Sequence, residues 1–373
     1  MRKFTVREEF LALKPYVPGY SIDEIQQKYG LAQVIKMASN ENALGVSPLV
    51  REAVIRHAAS VFRYPQDGSP RLVAALAALH AVPPERVVTG NGSNEIIDLM
   101  LRMLVVPGRN SIVCCAPCFS IYTIQGQIAG AEIRRVPLSE DFSFNFDGML
   151  ASVDDDTRLV FVTTPDNPSG YCPPRAAVRA FADRLAAKAP DCLLVVDEAY
   201  MDFADNEQEA SLLAARDLPD NAAFLRTFSK SWGMAGLRLG YCVLPPELAS
   251  LFCRARMPFS VNLLAEEAGL AALSDSAFRE VILQTTREGR DSLARGLVCM
   301  GCAVWPSAAN FLLFKPQVPA GACFEFLLKK GIIIRPLDSY GLPEHLRVSI
   351  GNPQENAAFL AAMRAAVSGT SRS

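Results

Sequence analysis

Histidine is scarce in this chain: three of 373 residues, His57, His80 and His345. None stands in a His-Glu-x-x-His arrangement, so a zinc centre of that kind is excluded. A surplus of either charge is missing too, because 37 basic residues meet 39 acidic ones for a formal net charge of -2. Without a basic surplus, the chain has little to offer nucleic acid or an anionic membrane surface. No run reaches the roughly 18 uninterrupted apolar residues of a membrane span. The opening stretch Met1-Arg-Lys-Phe-Thr-Val-Arg-Glu-Glu9 lacks the apolar centre of a secretory signal, and a cytoplasmic protein is expected.

Ten cysteines are present, but Cys192, Cys242, Cys299 and Cys302 are scattered through apolar runs, as reduced buried thiols are. Cys114-Cys-Ala-Pro-Cys118 contains a Cys-x-x-Cys spacing, yet no second Cys or His pair with ligand spacing accompanies it. It reads as the end of a strand and the start of a helix, and no metal ligands are expected.

What the chain does have is apolar bulk: 50% hydrophobic and 20% charged residues, enough to bury a substantial core. At 373 residues it exceeds what one ordinary core organises, which predicts two domains. Short apolar strands are expected at 111–115, 132–137, 158–163, 192–196 and 222–225, with helices at 119–129 and 173–189 among them. That alternation argues for an α/β fold with a mostly parallel sheet covered on both faces. After about Phe259 the texture changes to long helical runs, at 263–272 and 278–300, then short strands at 310–314, 332–335 and 346–350 and a final helix near 355–367. The expected division is an N-terminal segment, 1–45, joined to a small α+β domain, 261–373, with a large domain, 46–260, between them.

Ligands of such sheets bind beyond the carboxyl ends of the strands. Three polar loops fall there: Thr164-Pro-Asp-Asn-Pro-Ser-Gly170, Asp197-Glu-Ala-Tyr200, and the stretch from Thr227 to Arg238 with Lys230 inside it. Gly90-Asn-Gly-Ser-Asn-Glu95 joins a strand to a helix start, where free N–H groups and the helix dipole favour an anion. Glu95 stands where a dinucleotide fingerprint needs its third glycine, so a phosphate is expected and a dinucleotide is not. A lysine is a poor nucleophile until its pKa falls or it enters an imine. Beside Ser229, Thr227 and Arg238, Lys230 reads as an imine-forming lysine next to a phosphate cup. These loops supply what pyridoxal 5′-phosphate requires: a lysine, a carboxylate for the ring nitrogen, donors to the ring oxygen, a stacking ring and a phosphate cradle.

The ordered set of motifs resembles the fold-type I pyridoxal-phosphate aminotransferases, and among them the histidinol-phosphate aminotransferases most closely. Pro15-Tyr-Val-Pro-Gly19, Ala38-Ser-Asn-Glu-Asn42, Arg63-Tyr-Pro65, the glycine turn, the three polar loops and Leu346-Arg-Val-Ser-Ile-Gly351 carry the likeness across nearly the whole chain. The resemblance implies a large, mostly parallel sheet domain flanked by helices, with a smaller α+β domain. It implies that Lys230 bonds covalently to the cofactor's aldehyde, that Asp197 faces the ring nitrogen, and that Asn167 and Tyr200 donate to the ring oxygen. Phe119 falls where the family stacks a tyrosine. The phosphate falls to Gly92, Ser93, Asn94, Ser229 and Arg238, with Thr227 in support. Tyr64 is expected to reach the site of a second subunit, hence a homodimer.

Arg347 matches the family arginine that clamps a substrate carboxylate. Arg335 and Tyr16 are expected beside it for a phosphate, with Tyr20 and Asn42 also expected to bind substrate. Relatives often have lysine where Tyr20 stands. The implied reaction is a reversible ping-pong transfer between L-histidinol phosphate and 2-oxoglutarate, in histidine biosynthesis. An aromatic amino-acid aminotransferase, a phosphothreonine decarboxylase and a non-catalytic relative of the fold remain open alternatives at this point.

Overall fold

A run such as Leu193–Asp197 has no polar side to turn to water, so it is stable only with both faces covered. A computed structural model describes residues 4–13 and 18–370 and places that run at the middle of a seven-stranded sheet. The strands are β1 (Val87–Gly90), β2 (Ser111–Ala116), β3 (Glu132–Pro137), β4 (Thr157–Thr163), β5 (Leu193–Asp197), β6 (Ala222–Thr227) and β7 (Gly240–Val243). Their order in space is β1-β7-β6-β5-β4-β2-β3. All neighbours are parallel except β7, which runs antiparallel to both β1 and β6. Successive side chains of a strand face opposite ways. Accordingly Val113, Val160, Leu194 and Phe224 enter one apolar core while Ile112, Leu159, Val195 and Leu225 enter another on the far face.

The antiparallel β7 was not foreseen. It makes the Lys230 loop a connection between two paired strands, closed by Phe228 N–H donating to Leu239 O at 3.0 Å. The structure adds helices at Phe146–Ala151 and Pro246–Ala255 that periodicity left out.

A second, four-stranded antiparallel sheet contains β8 (Ala303–Val304), β9 (Phe311–Lys315), β10 (Arg335–Pro336) and β11 (Leu346–Ser349), in the order β10-β11-β9-β8. The single strand expected at 332–335 is divided, and its first part, Ile332–Ile333, pairs in parallel with Ile35–Lys36. Ile25 and Met37 sit with Leu312, Phe314, Leu327 and Phe359 in the core of this sheet. The segment before them touches the other unit: Arg7 Nη2 donates to Ile128 O at 3.2 Å and Gln127 Nε2 to Glu9 O at 3.4 Å.

Packing also bears on the expected start of the small domain at 261. The helix Leu263–Ser274 places Ala265, Ala268 and Ala272 in the core of the large sheet. The next helix, Ser276–Cys299, first joins the small-sheet core at Leu293. Small side chains on the first of these helices permit a close approach: a Cβ on Gly269 would stand 2.7 Å from Leu239 Cδ2.

Phe224 is fully buried on the strand that leads to Lys230. Phe224→Ala is expected to cost about 3–5 kcal/mol of stability. Urea unfolding followed by circular dichroism measures this as a lowered midpoint at unchanged slope.

Candidate active site

Five strand ends meet over one cavity of about 210 Å³, lined by Ser93, Asn94, Phe119, Thr163, Asn167, Asp197, Ala199, Tyr200, Thr227, Ser229, Lys230 and Arg238. At one end lies an anion cradle. The helix Ser93–Leu104 begins after Gly92 with no side-chain cap, so its first N–H groups are not engaged by a capping side chain. Glu95 does not intrude, because its carboxylate accepts from Asn91 N–H at 2.6 Å. Arg238, at a φ of 58°, directs Nη1 to Ser229 Oγ at 3.4 Å and to Ala235 O at 2.9 Å. Gly92 admits this arginine: a Cβ there would stand 2.5 Å from Arg238 Nη2. Thr227 Oγ1 accepts from Ser229 N–H at 3.0 Å and so shapes the turn.

At the other end Asp197, 3% exposed, closes β5. Tyr122 Oη donates to its Oδ2 at 2.7 Å, and Ala199 N–H to its Oδ1 at 3.1 Å. Burial still raises the Asp197 carboxyl above the ordinary aspartate range, against the pull of Tyr122, Ala199 and Lys230. Lys230 is displaced the opposite way. Its amine is pushed down to about 8, by burial first and by the Arg347 charge second. Lys230 Nζ donates to Ser39 O at 3.1 Å and lies 5.5 Å from the Tyr200 ring centre.

A smaller cavity, about 90 Å³, adjoins the first and shares Phe119, Asn167, Tyr200 and Lys230 with it. Its other walls include Gly19, Asn40, Tyr340, Arg335 and Arg347. The two arginines face each other in register across β10 and β11. Arg347, 5% exposed, donates from Nη1 to Asn167 Oδ1 and from Nη2 to Ala38 O at 3.1 Å, and its Nε has no partner among the described residues. Because Asn167 spends its carbonyl oxygen on Arg347, its NH2 group remains as a donor.

Most of the expected site residues thus converge, and three do not join them. Asn42 is not on these walls: its amide donates to Ser231 O at 2.9 Å, pinning the residue after the lysine. Tyr20 is 39% exposed and stacks on Phe324 at 6.3 Å between ring centres. Tyr64, 82% exposed, stacks on Phe259 at 4.9 Å and lines neither cavity of its own chain. Tyr16 lies outside the described residues. Sequence reasoning missed Tyr122, Thr163 and Asn40. Tyr122 was within reach of it, since a position three after Phe119 on a new helix returns to the same side.

The donor set fits pyridoxal phosphate: N–H groups, a hydroxyl and a guanidinium at one end, a buried carboxylate at the other, and a flanking phenyl ring from Phe119 with an amine from Lys230. Residues 32–363 match the family model for aminotransferases of class I and II. The chain belongs to this family. This aminotransferase is 56% identical over 96% of its length to histidinol-phosphate aminotransferase of Nitratidesulfovibrio vulgaris strain DP4, of which 95% is covered. It is 55% identical over 95% of its length to the enzyme of that name in Oleidesulfovibrio alaskensis, covering 93% of it. A solved histidinol-phosphate aminotransferase from Sinorhizobium meliloti, in complex with pyridoxal 5′-phosphate, superposes with a TM-score of 0.88 at 26% identity, covering 98% of both chains.

The lowered amine has a direct consequence. Only the neutral form of an amine attacks an aldehyde, and for Lys230 that form gains population as pH rises through about 8. The rate at which cofactor-free protein takes up pyridoxal phosphate, followed by absorbance, is therefore expected to climb to a plateau with a midpoint near 8. An ordinary lysine would place that midpoint at roughly 10.4.

Proposed function

We propose that this aminotransferase moves an amino group reversibly between histidinol phosphate and a 2-oxoacid, 2-oxoglutarate by resemblance, within histidine biosynthesis. The observation that carries the reading is the pair Arg335 and Arg347, both under 10% exposed and paired across adjacent strands beside Lys230. Histidinol phosphate has no carboxylate, so a site that takes both partners needs an anion pocket that accepts phosphate and carboxylate alike. Two guanidinium groups supply it, each a planar fork of donors. The relatives named histidinol-phosphate aminotransferase, at 55% and 56% identity, support the same choice.

When bound, pyridoxal phosphate supplies an aldehyde to take up the amino group and an electron-poor ring to accept electron density from the substrate carbon. Asp197 would keep the ring nitrogen cationic, since a carboxylate beside it favours the charged form. Tyr200 and Asn167 would donate to the ring oxygen. Ser93, Asn94, Ser229 and Arg238 would hold the phosphate, with Phe119 against the ring. Lys230 Nζ, neutral above its lowered pKa, would serve as the general base and acid that takes and returns the proton of the amine-bearing substrate carbon. Arg347 and Arg335 orient the substrate so that this carbon lies within reach of the amine.

We also assign a homodimeric assembly in the cytoplasm. Val61, Phe62, Tyr64 and Met257 are each more than 60% exposed, an apolar surface that a second copy would cover. In that arrangement Tyr64 serves the neighbouring site. Among the described residues no helix is long and apolar enough to cross a membrane.

Two experiments test these readings. With the loaded enzyme, histidinol phosphate, phenylalanine and phosphothreonine are offered separately in the first half-reaction and the absorbance change is timed. Histidinol phosphate, whose phosphate offers the two guanidinium groups more negative charge and one more acceptor oxygen than the carboxylate of phenylalanine does, is expected to react roughly 10-fold or more faster per mole; preference for phenylalanine would sink the assignment. For the assembly, inactive Lys230→Ala protein is mixed with Tyr64→Ala protein under exchange conditions. A shared site predicts recovered activity, because each hybrid contains one intact site, and no recovery rejects the sharing.

A further inference from the structure

We infer that Asn40 is a positioning residue that fixes the direction in which the Tyr200 hydroxyl proton points. The inference rests on the reading of Tyr200 as a donor to the cofactor's ring oxygen. Asn40 is 1% exposed, and its φ of 53° lies in the left-handed region, where asparagine, aspartate and glycine are most at ease.

The hydrogen bonds around it have one consistent polarity. The Asn40 backbone N–H can only donate, and it donates to Ser349 Oγ at 2.8 Å. The Ser349 hydroxyl proton then goes to Asn40 Oδ1, 3.1 Å away. With the carboxamide oxygen turned to Ser349, the NH2 end faces Tyr200 and donates to its Oη at 3.0 Å. A phenol has a single proton. Because Asn40 occupies an acceptor position of the Tyr200 oxygen, that proton turns away from Asn40, and Tyr200 lines the cavity that holds Lys230. An acceptor at position 40 would draw the proton back and leave a lone pair facing the cavity.

The device also crosses the molecule. Asn40 O accepts from Asn310 Nδ2 at 3.0 Å, and both Asn310 and Ser349 belong to the small-sheet unit, next to β9 and on β11. Seating of that unit therefore sets the donor state of a residue that lies at the end of β5.

Visible-absorption pH titration of the pyridoxal-phosphate-loaded enzyme tests this. A donor to the ring oxygen favours its ionised form and lowers the midpoint of the colour change. Asn40→Asp keeps the shape and tolerates the left-handed backbone but turns a donor into an acceptor, so the midpoint is expected to rise by about one pH unit. Ser349→Ala removes the proton that orients the carboxamide and is expected to shift the midpoint the same way by less. It also keeps the test open if Asn40→Asp fails to fold. Tyr200→Phe is expected to raise the midpoint alone, and Asn40→Asp to add nothing in that background. If Tyr200→Phe shifts the midpoint while Asn40→Asp and Ser349→Ala leave it in place, the inference is overturned and the role of Tyr200 stands. An unshifted midpoint in Tyr200→Phe overturns the reading of Tyr200, and the inference with it.

Discussion

Burial of one carboxylate beneath an apolar sheet is the constraint from which the site follows. Removing an ionised Asp197 from water costs several kcal/mol unless the charge is matched. The chain matches it in part, with Tyr122 and the Ala199 N–H, and the carboxyl remains raised. Lys230 carries the opposite displacement, a lowered amine held near two arginine charges. A ligand that presents a cation to Asp197 and takes the lysine into a bond relieves both at once.

The same strands carry a second set of charges. Glu198 follows Asp197, Arg226 precedes Thr227, and Ser231 follows Lys230, so neighbours in sequence face away from the site. There Arg226, 5% exposed, pairs with Glu198 at 2.6 Å, while Asp202 accepts from the Ser231 hydroxyl and meets Arg279 at 2.9 Å. Arg279 comes from the helix Ser276–Cys299, so this cluster joins the lysine loop to the element that leads into the small-sheet unit. A buried pair of this kind is weak evidence of net stability. Its plain effect is positional, since each charge has few other places to find a partner.

Much of this was legible in sequence because the chemistry demands it locally. A continuous apolar run ending in Asp197, a glycine turn ahead of Ser93, and Lys230 between hydroxyl residues each announce themselves by type and spacing. Asn40 did not, because its value lies in a left-handed φ and in partners some 160 and 309 residues away. The antiparallel β7 escaped for a related reason: Gly240-Tyr-Cys-Val243 is a buried run like its neighbours, and direction in a sheet is a property of pairing, not of composition. Asn42 shows the converse error. Asn40 of its motif lines the smaller cavity, but proximity in a motif did not say which way the Asn42 amide turned.

The antiparallel pairing of β6 with β7 has a mechanical meaning. Both ends of the loop from Thr227 to Gly240 are clamped by the same two strands, and Phe228 and Leu239 close it from within. Lys230 and Arg238 therefore ride on one frame, and the span from amine to anion cradle is set by a short stapled loop. Arg335 and Arg347 ride on another frame, the small sheet. Any shift of one apolar core against the other changes the distance from the Lys230 amine to these two arginines and leaves its distance to Arg238 alone. The protein is in this respect a vice with one fixed jaw, and Asn40 is a gauge set between the two.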